Sequence, residues 1–167
     1  MKRSVGLLVI TNIPAMGGRV VVLQRRGKFN HEKMAPESYP GGCQASIHGG
    51  VEENEMFEQA LFREAEEEFG SDFVLFLKQH LDGMSEVSII KDESCEIRTY
   101  AIELPSDCIK VIKLRPSSGR LDFLCKDKID SIVDIKQFTR ERGVTDSRVI
   151  AMFNDARDAV MKALCGQ

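Results

Sequence analysis

The amino-acid sequence predicts an α/β domain in which a mixed β-sheet is covered by helices on both faces. Three observations point there. Two apolar, β-branched runs open the chain at residues 4–11 and 18–25, and strand-like runs return after residue 85. One strongly patterned acidic helix, starting near Asn54 or Glu55 and ending at Gly70, separates the two groups of strands. A second helical stripe closes the chain, and a length of 167 residues suits a single domain spanning 1–167 with its own core.

The first two strands are joined by NIPAMGG, whose proline and paired glycines are turn residues, so the pair reads as a hairpin. Two basic residues precede the first run, but its roughly six apolar residues fall short of the roughly 7 to 15 of a signal-peptide core. No stretch approaches the roughly 20 apolar residues of a membrane span. Residues 27–42 turn polar, with Asn30, Pro36, Pro40 and Gly41-Gly42, and read as a long surface loop of the kind that often carries function. A short extended run, 43–48, then feeds Gly49 and Gly50.

Beyond the acidic helix, residues 73–81 are apolar enough for either a strand or more helix. Residues 86–90, 96–104, 109–114 and 120–125 read as strands, and 128–135 as a short helix. Thr145 or Asp146 is placed to cap the last helix. Its apolar residues Val149, Met152, Phe153, Ala156, Val160 and Leu164 recur at spacings of three and four, a core-facing stripe.

Composition narrows the function. A hydrophobic fraction of 43%, a charged fraction of 29% and a formal charge of -3 describe an ordinary globular chain with no net field to gather polyanions. Nucleic acid is therefore disfavoured as a partner, and no membrane association is expected. The five cysteines, Cys43, Cys95, Cys108, Cys125 and Cys165, are scattered and never form a Cys-x-x-Cys pair. They read as reduced thiols of a cytoplasmic protein.

The chemistry concentrates in residues 49–71, GGVEENEMFEQALFREAEEEFGS. At about 100° per residue, Glu64, Glu67 and Glu68 share one third of the helix circumference. Phe57, Ala60 and Leu61 lie on the same face upstream, whereas Glu66 points away. Like charges three and four apart destabilise a helix, and partial burial costs more, so the arrangement calls for a compensating cation. Mg²⁺ suits it, because that ion takes carboxylate and water oxygens and keeps room for phosphate. The competing reading of such a run is a solvated acidic face.

The segment resembles the Nudix box, in which Gly, five residues, Glu and seven residues precede Arg-Glu-aliphatic-x-Glu-Glu-x-Gly-aliphatic. Gly49, Glu55, Arg63, Glu64, Glu67, Glu68 and Gly70 supply all the fixed identities, and Ala65 takes the first aliphatic place. Chance agreement at one start is on the order of one in 10⁸ from typical residue frequencies. His48 stands where the family often has a glycine, and Ser71 replaces the last aliphatic residue.

The resemblance implies a Nudix-type α/β/α sandwich with a central mixed β-sheet. It implies Mg²⁺-dependent hydrolysis, with Mn²⁺ as a substitute, of a diphosphate bond in a nucleoside diphosphate linked to another moiety. Glu64, Glu67 and Glu68 are implied as metal ligands and catalytic carboxylates, with Glu68 the principal ligand and Glu64 also a candidate to orient water. Gly49 or His48 is implied to offer a backbone carbonyl to the metal, and Glu55 with Arg63 to form a structural pair, closed by Gly70.

Beyond the box, Arg25 and His48 are candidate substrate contacts. Glu96, Glu103, Asp122 and Asp127 are unranked candidates for a further carboxylate. Phe29, Tyr39 and Phe123 are candidates for base stacking. Lys110, Lys113 and Arg115 read either as a surface for capped or triphosphorylated RNA or as a solvated strand edge. The expected partner is a small nucleotide-type molecule, with a homodimer left open. Two alternatives carry over: a non-catalytic nucleotide-binding regulatory domain, and a prenyl diphosphate isomerase, for which Cys43 is the one candidate cysteine.

Overall fold

The computed structural model describes residues 1–166. In chain order the strands and helices are β1 (Lys2–Ile13), β2 (Gly18–Arg26), β3 (Phe29–Asn30), β4 (Ala35–Pro36), β5 (Cys43–Gln44) and β6 (Ile47–Gly50). Then come α1 (Phe57–Phe69), α2 (Ser71–Lys78), β7 (Ser85–Lys91), β8 (Cys95–Glu103), β9 (Ser118–Cys125), β10 (Val133–Asp134), β11 (Ala151–Met152) and α3 (Asn154–Cys165).

Residues 5–10 of β1 are apolar without interruption because the strand is covered on both faces there. Val5, Leu7 and Val9 join the core beneath α1 and α2, where Leu61, Phe69 and Phe73 are fully buried. Leu8 and Ile10, one residue out of step, join the core beneath α3 with Val160 and Leu164. The sheet runs β5-β2-β1-β8-β7, with β6 added to β1 and β9 to β2. β1 and β8 are parallel and the other pairings of this sheet antiparallel, so it is mixed and sandwiched between helices, as expected. Among the described residues no helix is long and apolar enough to cross a membrane.

The sheet forks where the site is built. β1 pairs with β2 over Val9–Ile13 and with β6 over Ser4–Leu7, so β5 and β6 enter between β1 and β2 as these separate. A fork leaves backbone groups without ladder partners, which cannot stay buried and unpaired. Ser46, fully buried, supplies them: its Oγ accepts from the Val9 N–H at 2.8 Å and donates to the Val22 carbonyl.

Several expectations are corrected, and the open one at residues 73–81 is decided. Residues 109–114 form no strand, since β8 is already flanked by β1 and β7; Ser106–Val111 is a 3-10 turn whose Ile109 and Val111 pack on the α1 core. Residues 73–81 are mainly helix, because α2 follows α1 directly through Gly70 at φ 91°. Residues 128–135 are a 3-10 turn, Lys126–Ser131, followed by β10. The last helix starts at Asn154, not near Thr145: β11 pairs with β10, and Val149 and Phe153 pack against a small cluster around Ile135. Their helical spacing was coincidental, and Ala156, Val160 and Leu164 alone continue it within α3.

Candidate active site

α1 begins at Phe57, two or three residues later than expected, because residues 51–56 form a loop with Asn54 at φ 63°. Arg63 fastens that loop to the helix. Its Nε and Nη2 donate to the two Glu55 oxygens at 2.9 Å each, Nη2 also donates to the Gly50 carbonyl at 2.7 Å, and Nη1 donates to Glu64 at 2.8 Å. Glu67 is reached only at 3.5 Å. The structural Glu55–Arg63 pair is therefore present, and one guanidinium also neutralises the nearest box carboxylate. Phe57 is held between the guanidinium groups of Arg3 and Arg98, at 4.6 and 4.5 Å from the ring centre.

The box glycines have separate reasons. A Cβ on Gly49 would overlap the Glu64 carboxyl group, so glycine lets β6 and the helix carboxylate approach. Gly70 occupies the left-handed region between α1 and α2, where a side chain is strained.

The three ligand candidates differ in burial. Glu66 is exposed as expected, Glu67 has 47% of its side chain exposed, Glu64 is nearly covered and Glu68 is fully buried. Burial pushes the Glu64 carboxyl above its ordinary value despite Arg63, and pushes Glu68 up to about 8 despite Arg115. The two oxygens of Glu68 are unequal. Oε2 accepts from Gln24 Nε2 at 2.8 Å and from the His48 N–H at 3.1 Å, while Oε1 has only a 3.4 Å contact with Arg115.

Gln24 was not singled out in the sequence. It is buried, donates also to the Ser46 carbonyl at 2.7 Å, and accepts from Ser118 Oγ at 2.7 Å. Strand alternation was the available signal: Val22 and Gln24 face α1, whereas Leu23 and Arg25 face α3. Arg25, a candidate substrate contact, instead lies on the side away from the box carboxylates and is engaged by the protein itself. It is 6% exposed, pairs with Asp122 at 2.6 Å and donates to the Gly41 and Val149 carbonyls at 2.7 and 3.0 Å.

The same alternation divides β6. Ile47 and Gly49 face α1, and the His48 side chain lines a cavity of about 610 Å³ on the α3 face. Lys2, Arg26, Lys136, Phe153, Asn154 and Asp155 share the lining. His48 is exposed as a residue, yet burial of its ring and repulsion from Arg26 lower its pKa below the ordinary value. Arg26 lies 5.9 Å from the Phe153 ring centre. Cys43 also lines the cavity, but burial pushes its thiol up to about 11, unsuited to a nucleophile.

The remaining candidates separate. Asp122 is tied to Arg25 and Arg120, and Glu96 to Arg98 and Lys91. Glu103 pairs with Arg19 at 3.6 Å, and Asp127 is exposed. Tyr39 packs edge-on against Phe153, Phe123 against the α1 core, and Phe29 against His31. Lys110 and Lys113 are exposed in ion pairs with Asp107 and Asp72, whereas Arg115 turns inward to Glu68.

Among the described residues no group of three or more His, Cys, Asp or Glu side chains is already arranged to hold a metal ion. The donor set fits a hydrated hard cation instead: it offers carboxylate oxygens, two of the carboxylates are charged only against desolvation, and Glu68 Oε1 lacks a close donor.

Comparison with known proteins agrees with the fold. The NUDIX domain model matches residues 2–148. A Deinococcus radiodurans protein shares the fold with TM-score 0.52 and 16% identity over 74% of this chain and 66% of its own. A MutT/nudix family protein from Enterococcus faecalis gives 0.52 and 13% over 73% and 42%. The C. elegans Ap4A hydrolase gives 0.51 and 17% over 78% and 85%. The chain spans less than two thirds of the first two, and no curated protein matches it significantly. With the family model covering most of its length and every fixed box residue in place, the chain belongs to the Nudix family.

Proposed function

We propose that this protein is a divalent-metal-dependent pyrophosphohydrolase that cleaves the diphosphate bond of a nucleoside diphosphate linked to another moiety. The observation that carries the reading is Glu68: a fully buried carboxylate with one oxygen fixed by Gln24 and His48 and the other without a close donor. Glu64, Glu67, Glu68 and a carbonyl from Gly49 or His48 would hold Mg²⁺, or Mn²⁺ in its place. Such an ion neutralises phosphate charge and lowers the pKa of bound water for in-line attack at phosphorus.

The chain's own groups do the rest. Glu64, held by Arg63, orients the attacking water and accepts its proton, and its raised pKa suits that exchange. The cavity across β6 holds the nucleoside end; about 610 Å³ is within the range of small-molecule sites. Phe153 and Arg26 offer stacking surfaces, Asn154 an amide, and Lys2 and Lys136 positive charge. His48, whose pKa burial and Arg26 lower, is a hydrogen-bonding group in the lining.

The test is product release from ADP-ribose, nucleoside triphosphates, dinucleoside polyphosphates and 5′-triphosphate RNA, each with Mg²⁺, Mn²⁺ or chelator. Turnover should appear only with metal. Metal-independent turnover would contradict the proposal, and binding without turnover on every compound would support a regulatory domain instead.

A further inference from the structure

Arg115 lies in the segment between the Ser106–Val111 turn and β9, held against the end of α1 by the Lys113 N–H, which donates to the Phe69 carbonyl at 2.8 Å. Its guanidinium stands between two carboxylates on separate elements. Nη1 pairs with Glu32, in the 27–42 loop, at 2.8 Å, and Nη2 reaches Glu68 Oε1 at 3.4 Å. Its Nε is buried without a hydrogen-bond partner. Arg63, by contrast, bonds Glu55, Glu64 and Gly50 at 2.7 to 2.9 Å. Arg63 is satisfied where it stands; Arg115 is not.

Position sharpens the contrast. Glu68 Oε2 is occupied by two N–H donors, so Oε1 is the oxygen left for a cation, and Arg115 is the cation standing there. A guanidinium and a divalent ion beside one carboxylate oxygen repel each other, so Arg115 must shift when the ion arrives. The same ion brings phosphate oxygens, which the planar guanidinium fork binds in bidentate fashion.

We infer that Arg115 occupies the cation position beside Glu68 Oε1 in the metal-free protein and becomes a diphosphate-binding residue once metal is bound, with Glu32 as the partner that draws it away from Glu68. This rests on the proposed metal-dependent hydrolysis. The role makes opposite demands on one side chain: Arg115 opposes metal and favours phosphate. A purely structural arginine would support both.

The test measures Mn²⁺ alone by calorimetry above pH 8, where proton displacement from Glu68 no longer dominates, then inorganic pyrophosphate added to Mn²⁺-loaded protein, for wild type, Arg115→Ala, Arg115→Lys and Glu32→Gln. Arg115→Ala should bind Mn²⁺ several-fold more tightly and pyrophosphate about tenfold or more weakly, the loss of a charged hydrogen bond. Arg115→Lys should keep the wild-type Mn²⁺ affinity and lose part of the pyrophosphate affinity. Glu32→Gln, which leaves Arg115 to lean on Glu68, should weaken Mn²⁺. Weaker or unchanged Mn²⁺ binding in a folded Arg115→Ala, or unchanged pyrophosphate affinity, overturns the inference. Failure of wild type to bind Mn²⁺ would instead overturn the metal-dependent function itself.

Discussion

The two faces of β6 differ as sharply as any two regions of the molecule. Toward α1, Gly49 lies against the Glu64 carboxylate and the His48 N–H donates to Glu68, so this side is acidic and tightly packed. Toward α3, the His48 side chain enters an open cavity with Lys2, Arg26 and Lys136, so that side is basic and roomy. On the proposed function, one strand, alternating its side chains, would separate bond cleavage from recognition of the rest of the molecule. The lesson is that a residue's face decides its role here more than its type or its neighbours in sequence.

Changes on the two faces should consequently separate kcat from KM. The largest effect is expected for Glu68→Gln, which keeps the shape and removes the charge. Turnover should fall by more than the roughly 10- to 100-fold typical of residues behind a metal ligand, with the fold retained by circular dichroism. Arg25→Ala should act oppositely, costing about 3 kcal/mol of stability by leaving Asp122 and two carbonyls without their buried partner, while KM of the folded fraction stays unchanged. Urea unfolding and steady-state kinetics on the same sample check both halves.

Gln24→Leu removes the donor to Glu68 Oε2 and should lower turnover or metal affinity by about 10- to 100-fold, the range for such supporting partners. A Gln24→Leu protein with wild-type kinetics would assign the glutamine to packing alone. The smallest effect is expected for Lys136→Ala on the cavity face: KM should rise about two- to fivefold, in keeping with an exposed charge, at constant kcat. A fall in kcat there would break the division between the faces.

Much of this was legible in the sequence. The hairpin of β1 and β2, the mixed sheet and the box helix follow from apolar runs and one spacing pattern, because each is local or repeats with a fixed period. The wheel separated exposed Glu66 from Glu64 and Glu68 but grouped Glu67 with the latter, although only those two are buried. What stayed hidden depends on pairing between distant segments. Residues 109–114 look like a strand until both neighbours of β8 are filled, and Val149 to Phe153 look helical until β10 takes β11 as its partner. Arg25 drew attention by its charge, and Gln24 did not, although the face assignment that distinguishes them needs only the position of α1.

The central claim is that a divalent ion binds the ionised form of Glu68. Burial holds that group at about 8, so near neutral pH much of it carries a proton that the metal must displace, and affinity should climb as pH rises toward that value and level off above it. Mn²⁺ titration calorimetry at pH 7 in buffers of different ionisation enthalpy counts that proton directly. We expect wild type to release about one proton per ion bound and Glu68→Gln to bind weakly without release. Equal Mn²⁺ affinity in the two proteins, with no proton released by either, would contradict the claim.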